Sequence, residues 1–144
     1  MRSTMMNKAG TQTISGRFSR AAHIALWILQ VVLAVFFLLH GWLFVAPSAE
    51  MAAMIDASIA PGLRIFIGVA ELLAAAGLIL PGVTRILPWL TACAAAGLML
   101  VMASATVFHT LRGEIGSAIA TAAFFALVTL IAVMRWKKVP ITAR

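Results

Sequence analysis

Long apolar runs separated by short polar segments dominate the chain. Each run is long enough to cross a bilayer as a helix, which takes about 20 predominantly apolar residues. The runs cover residues 21–46, 63–80, 86–109 and 115–136. The pattern therefore predicts an all-α membrane protein whose transmembrane domain, residues 21–138, is a bundle of four spanning helices.

The polar segment between the first two runs has a pattern of its own. Ser48 can cap a helix, and Glu50 then lies in its first turn, where a carboxylate suits the helix dipole. The apolar residues of the segment recur at helical spacing: Met51, Met54, Ile55 and Ile59. The pattern predicts a short amphipathic helix at the outer membrane surface, in the loop between the first and second spans.

Composition and charge agree with a membrane protein. The chain is 63% hydrophobic and 10% charged, whereas soluble proteins carry about 25% charged residues. Its net charge of +7 does not favour a nucleic-acid partner, because the basic residues lie in the tails and beside the runs. A lipid bilayer is the partner that this pattern predicts.

The basic residues also predict the topology. If both termini are cytoplasmic, only Arg64 and Arg112 among the 11 Lys and Arg residues lie outside, as the positive-inside rule requires. The chain is then a multi-pass protein with both ends in the cytoplasm. Residues 1–20 are predicted to be a disordered basic cytoplasmic tail, and residues 139–144 a second cytoplasmic tail.

Glu71 is the most informative single residue, since it places a carboxylate in the middle of the second run. Ionisable residues inside a membrane are costly and are functional candidates by default. Arg64 lies on the same helical face about 10 Å nearer the outer edge, where it is expected to steady the negative charge of Glu71. The alternative is a structural acid that holds helices together by hydrogen bonding.

Two histidines lie in the same outer half of the predicted bundle, His40 in the first run and His109 in the third. With Glu71 they suggest a pocket open toward the outer face. Its further candidate lining residues are Gln30, Trp42, Thr106, Arg112 and Glu114. The simpler interpretations are interfacial histidines, a solvated turn at residues 112–114, and an interhelical hydrogen bond for Gln30.

Several chemistries find no support in the sequence. Cys93 is the single cysteine, so an intramolecular disulfide relay is excluded. No closely spaced histidine or carboxylate motif marks a metal site, and no glycine-rich loop marks a phosphate site. Two histidines on separate runs are weak support for haem, so we expect neither metal nor haem.

Short motifs are spread over the chain from about residue 30 to residue 121. They are residues 67–72, 77–81, 88–90 and 96–98, together with Met102, His109 and residues 113–114. Together they resemble the DoxX/DoxX-like family of small four-helix membrane proteins. The resemblance implies a bundle in a bacterial inner membrane. It also implies an association with quinone-linked oxidoreductases, such as quinol oxidase and thiosulfate:quinone oxidoreductase systems, or with redox-stress complexes.

The leading hypothesis is therefore a DoxX-like membrane subunit with a pocket for a quinone or another small molecule. Glu71 would exchange protons, His40 and His109 would hydrogen-bond the head group, and a partner redox subunit would supply electrons. Such a chain is an accessory subunit rather than an enzyme by itself. Two alternatives stay open: a proton-coupled exporter that uses Glu71 and works as a homodimer, and a structural or assembly subunit without a ligand.

Overall fold

All regular secondary structure in the described part of the chain is helical. The computed structural model describes the backbone of residues 2–142 and the side chains of residues 20–142. The elements are α1 (Arg2–Val45), α2 (Ala49–Asp56), α3 (Pro61–Thr84), α4 (Leu90–Leu111), α5 (Ile115–Val133) and a π-helical turn (Met134–Lys138). The side chains up to residue 19 lie outside the described part, as do residues 143–144. The backbone of residues 2–20 is the first part of α1, and the disordered cytoplasmic tail predicted for this segment stays a prediction.

Within the described residues, four helical segments are long and apolar enough to span a membrane. They are Arg20–Val45, Pro61–Thr84, Leu90–Leu111 and Ile115–Lys138. Large apolar side chains remain exposed on their outer faces, including Leu73, Leu100 and Ile119. In a membrane these faces contact lipid, which satisfies them without further protein. The predicted all-α architecture with four spans is confirmed, and the chain is a multi-pass membrane protein.

The spans form an up-and-down bundle. α1 packs on α3, α3 on α4, and α4 on α5, because short connections make consecutive spans antiparallel neighbours. One end of the bundle, where α1 and α4 end, is called the His40 end below. The other, where α3 and α5 end, is the Arg135 end.

Aromatic side chains connect the last span, α5, to the first span, α1. The rings of Phe36 and Phe124 stack with their centroids 4.3 Å apart, and Phe37 meets Phe124 edge-on at 5.8 Å. The core between the helices is apolar and fully buried: Leu33, Phe37, Leu78, Leu98, Val128 and Ile131. Each long span contributes to this core, so it fixes the rotation of each helix about its axis.

Glycines allow a close crossing of α1 and α3. A Cβ on Gly41 would lie 2.8 Å from the carbonyl oxygen of Gly68, and a Cβ on Gly68 would lie 2.8 Å from that of Gly41. Such a distance is shorter than van der Waals contact, so only glycine on both helices permits this approach of α1 and α3. Small residues at helix crossings are the usual means of tight packing in membranes.

The helix bounds differ from the predicted ones at the turn between α3 and α4. α3 continues through Pro81 to Thr84 instead of ending at residue 80, since membrane helices tolerate an internal proline when neighbours cover the freed carbonyl. Arg85 then takes the left-handed conformation (φ 58°) that ends a helix. α4 consequently starts at Leu90 rather than at residue 86.

The predicted short helix between the first and second spans is present as α2. The Ser48 hydroxyl caps it by accepting a hydrogen bond from the Met51 N–H at 3.2 Å. Glu50 lies in its first turn, as expected. α2 contacts α3, and the ion pair between Asp56 and Arg64 holds it at the His40 end.

Candidate functional site

A buried carboxylate and a histidine form the central pair of the His40 end. Glu71 on α3 is only 1% exposed, and its Oε2 lies 2.6 Å from Nδ1 of His40 on α1. An ionised carboxylate accepts hydrogen bonds only, so the His40 Nδ1–H is the donor of this bond when Glu71 is charged. Oε1 of Glu71 is buried and finds no hydrogen-bond partner in the described part of the chain.

The glycine crossing explains why these two side chains meet. His40 directly precedes Gly41, and Glu71 follows Gly68 by one helical turn. At this point a Cβ on Gly41 would lie 3.1 Å from the Cβ of Glu71. The backbone of α1 therefore passes directly beside Glu71, and the neighbouring histidine reaches its carboxylate.

Aromatic rings flank His40 along α1. The imidazole lies nearly parallel to the ring of Phe36, with centroids 5.9 Å apart, and 4.5 Å from the ring centroid of Phe44. The His40 side chain is 36% exposed, and among the described residues its Nε2 has no hydrogen-bond partner. The pair thus combines a covered carboxylate with an accessible imidazole edge between two aromatic rings.

Arg64 does not take the role predicted for it. It is buried at the start of α3, where its Nε donates to Asp56 Oδ1 at 2.7 Å and its Nη1 donates to the carbonyl oxygen of Phe44. The expectation that it steadies Glu71 is corrected by these partners, because the end of α2 supplies a closer acid. Arg64 instead ties α2 and the end of α1 to α3.

His109 also has another partner. Its Nδ1 lies 2.5 Å from Glu114 Oε2, and Arg112 Nε donates to Glu114 Oε1 at 2.6 Å. The hydrogen bond from Arg112, and after it that from His109, holds the pKa of the Glu114 carboxyl below its ordinary value of 4.5. These residues form a cluster at the turn between α4 and α5, in agreement with the solvated-turn interpretation.

The remaining candidates lie apart from the His40–Glu71 pair. Thr106 Oγ1 donates to the Met102 carbonyl and meets Thr121 Oγ1 at 3.0 Å, which joins α4 to α5. Trp42 is 62% exposed and faces away from the core. The structure therefore divides the predicted pocket residues: His40 bonds to Glu71, while His109, Arg112 and Glu114 bond to one another in a separate cluster.

Gln30 lies at the Arg135 end, where the sequence reasoning missed a polar cluster. Its Nε2 donates to the Leu78 carbonyl at 2.7 Å, so the interhelical hydrogen bond proposed for Gln30 is confirmed. Its Oε1 accepts from Arg135 Nε at 2.6 Å. Arg135 is a basic residue at the end of the fourth apolar run, yet it is only 4% exposed. The signal in the sequence was its helical spacing from Val128 and Ile131, which places it on the core stripe of α5.

An apolar groove of about 350 Å³ runs between α3 and α4. Its lining includes Gly77, Ala94 and Gly97, with Cys93 at the edge, and contains none of the predicted pocket residues. In the same described part of the chain, no group of three or more His, Cys, Asp or Glu side chains is placed to hold a metal ion.

Comparison with known proteins identifies the family of the chain. The model of the DoxX-like family matches residues 28–132, which is most of the chain. The matched region contains the His40–Glu71 pair and the His109 cluster, whereas His23, Trp27 and Arg135 fall outside it. Neither a curated protein nor a solved structure matches the chain significantly.

Proposed function

The chain belongs to the DoxX-like family, and on that premise we propose that it is a membrane subunit that binds a quinone head group, or a similar small hydrogen-bonding molecule, at the His40–Glu71 pair. The pair would exchange protons with the bound molecule. A partner redox subunit in the same membrane would exchange the electrons.

The proposal rests on the carboxylate of Glu71, in which only one of the two oxygens has a hydrogen-bond partner among the described residues. One of its oxygens bonds to His40, while the other is buried and has no partner among the described residues. A buried acceptor without a partner costs free energy that a ligand hydroxyl or N–H would recover. The aromatic rings beside His40 suit a flat ring that carries oxygen atoms, which is the shape of a quinone head group.

The chemistry of the pair is that of a histidine oriented by a carboxylate. With Glu71 charged, Nδ1–H of His40 donates to it, and the neutral ring then presents the lone pair of Nε2 to a hydroxyl group. When Nε2 accepts a proton, the Glu71 carboxylate stabilises the resulting imidazolium, and this is general base catalysis of proton removal. A bound quinol would supply protons and electrons, of which His40 and Glu71 handle the protons.

The proposal includes a place in the cell. The distribution of Lys and Arg supports a chain with both termini in the cytoplasm, and the family resemblance supports a bacterial inner membrane. The His40 end, with α2, would then face outward. Proton exchange at His40 and Glu71 would take place in the outer half of the membrane.

The test is equilibrium binding of a short-chain benzoquinone and its quinol to the full chain purified in mild detergent. E71Q removes the charge and one acceptor at nearly constant shape. E50Q makes the same change on exposed α2 and is the matched control. Loss of a charge-assisted hydrogen bond costs about 1.5–3 kcal/mol, so we expect at least about tenfold weaker binding for E71Q and unchanged binding for E50Q.

Other outcomes would select the alternatives. Equal binding by E71Q and E50Q would remove Glu71 from the site. Proton-driven uptake of a cationic drug into inverted vesicles, abolished by E71Q, would identify an exporter, and a crosslinked homodimer would accompany it. If alanine at both His40 and His109 left every activity of a partner complex intact, the chain would be a structural subunit.

A further inference from the structure

The Arg135 end contains a polar cluster around one buried cation, Arg135, that the proposed function does not use. It consists of His23, Trp27, Gln30 and Arg135, and it is called the Arg135 cluster below. Arg135 Nε donates to Gln30 Oε1 at 2.6 Å, and Nη1 donates to the Val139 carbonyl at 3.3 Å. The guanidinium carbon lies 5.6 Å from the ring centroid of Trp27. The cation is thus fixed in position between α1 and the π-helical turn.

No acidic side chain of the chain reaches this cation. The sequence contains four acids: Asp56 pairs with Arg64, Glu71 with His40, and Glu114 with Arg112 and His109. Glu50 lies on α2, at the opposite end of the bundle. Gln30 precedes His40 by ten residues on α1, a separation of about 15 Å along the helix axis. The charge of Arg135 is therefore uncompensated within the chain's own side chains.

The cluster also has more hydrogen-bond donors than acceptors. Trp27 Nε1–H donates to Nε2 of His23 at 3.2 Å, and Arg135 Nη1 lies 3.2 Å from Nδ1 of the same ring. A neutral imidazole has a single acceptor nitrogen, so it satisfies only one of these two donors. Arg135 Nη2 is buried and lacks any partner in the described region.

A second unsatisfied group lies at the same end. The hydroxyl of Thr91, in the first turn of α4, is buried and has no partner among the residues whose side chains are described, and α4 contacts the π-helical turn that carries Arg135. Excess positive charge and excess donors together call for a group with several acceptor oxygens and a negative charge.

We propose that the Arg135 cluster binds the phosphate oxygens of an anion, either the phosphodiester of an anionic lipid or a free phosphate. A guanidinium matches two phosphate oxygens with parallel N–H bonds. The long Nη1 contact to Val139 is the contact that the anion would replace. Basic sites between spanning helices at the cytoplasmic side are suited to such head groups.

Thermal unfolding of the full chain in neutral detergent tests this proposal. The additives are phosphatidylglycerol, phosphatidylcholine as the uncharged lipid, and inorganic phosphate against chloride at equal ionic strength. R135Q removes the cation, and K137Q removes an equal charge from the exposed surface two residues later. We expect phosphatidylglycerol to raise the Tm of wild type and of K137Q. The affinity of R135Q for phosphatidylglycerol should be at least about tenfold lower than that of wild type.

The comparison of lipid with inorganic phosphate distinguishes the two possible sources of the bound phosphate group. A response to phosphatidylglycerol without a response to inorganic phosphate identifies a lipid site, and a response to both identifies a site for phosphate itself. No difference between the two lipids and no phosphate effect in wild type would overturn the proposal. Equal affinities of R135Q and wild type for phosphatidylglycerol would also overturn the proposal.

A measurement on wild type covers the case in which R135Q does not fold. Native mass spectrometry from an equimolar mixture of the two lipids should show at least one retained phosphatidylglycerol per chain, and R135K, which keeps the charge but loses the fork, should retain less. Retention of both lipids in equal amounts would contradict the proposal. E71Q should bind phosphatidylglycerol as wild type does, because Glu71 lies at the other end of the bundle.

Discussion

At the scale of the residue, two histidine–glutamate pairs have almost the same N–O distance but differ in how far the acid is buried. His40 and Glu71 lie 2.6 Å apart, with the acid 1% exposed, whereas His109 and Glu114 lie 2.5 Å apart, with the acid side chain 36% exposed. Water reaches the half-exposed His109–Glu114 pair and screens it, so its contribution to stability is small. In the buried pair each lost hydrogen bond leaves a desolvated group, which is why Glu71 is the stronger site candidate.

The partners of Glu114 predict that the stability of the fold changes with pH in the acid range. The pKa of Glu114 is lowered in the folded protein, mainly by Arg112 and then by His109. A carboxyl with a lowered folded pKa stabilises the fold above its ordinary value of 4.5 and loses that contribution as the pH falls through the lower, folded value. We expect wild type to unfold at a higher temperature than E114Q near neutral pH, and the two curves to converge in acid.

The measurement is thermal unfolding of both proteins in detergent from about pH 7 down to about pH 3. E50Q is the control, since Glu50 is an exposed acid on α2. A difference between wild type and E114Q that stayed constant, or that grew as the pH fell, would contradict the assignment.

At the scale of the element, helix crossings decide which polar groups meet. α1 and α3 approach closely only because Gly41 and Gly68 face each other, and this approach brings His40 to Glu71. At the opposite end, a π-helical turn continues α5, in which the Val139 N–H donates to the Met134 carbonyl. π-helical turns often mark functional positions, and this one carries Arg135.

Alanine at the glycine crossing should destabilise the bundle. In G41A or G68A the new Cβ would meet a backbone oxygen at 2.8 Å, and a backbone cannot rotate away as a side chain can. Such overpacking typically costs about 1–3 kcal/mol. We expect a lower Tm for both variants, and weaker quinone binding because α1 and α3 must separate.

G97A is the matched control for this change. A Cβ at Gly97 on α4 meets no atom within 4 Å, and alanine favours a helix over glycine by about 0.5–1 kcal/mol. Its Tm should equal or exceed that of wild type. If G41A and G68A behaved like G97A, the crossing would not be as tight as described.

At the scale of the whole molecule, charge is divided between the two ends of the bundle. The acids lie at or toward the His40 end, while Arg85, Arg135, Lys137 and Lys138 lie at the Arg135 end. Positive charge is retained on the cytoplasmic side of a membrane. This division supports an inward-facing Arg135 end and an outward-facing His40 end.

Reporter fusions test this orientation. Green fluorescent protein fused after the last residue should fluoresce, and alkaline phosphatase at the same point should be inactive. Alkaline phosphatase fused after Gly113, in the turn between α4 and α5, should be active. The opposite pattern at both points would invert the topology and place the His40–Glu71 pair toward the cytoplasm.

Some features of the candidate site were accessible before the fold was known. Glu71 stood out because a carboxylate within an apolar run needs a compensating environment. For Gln30, a candidate lining residue of the predicted pocket, the simpler interpretation of an interhelical hydrogen bond is the one that the structure bears out. His40 was one of two histidines of equal standing, and Arg64 was assigned to the wrong acid. Distances along one helix are set by the rise per residue, but a partner on another helix depends on how both helices are rotated.

The sequence by itself determined the number of spans, the presence of α2 and the depth of Glu71, because hydrophobic length and local capping are properties of contiguous residues. Only the tertiary structure decided that Glu71 meets His40 rather than Arg64 or His109, and that Arg135 is buried against Gln30. Those choices depend on the crossing at Gly41 and Gly68 and on the closure of α5 onto α1 through Phe124. Both involve residues far apart in the chain, whose relative positions no local pattern records.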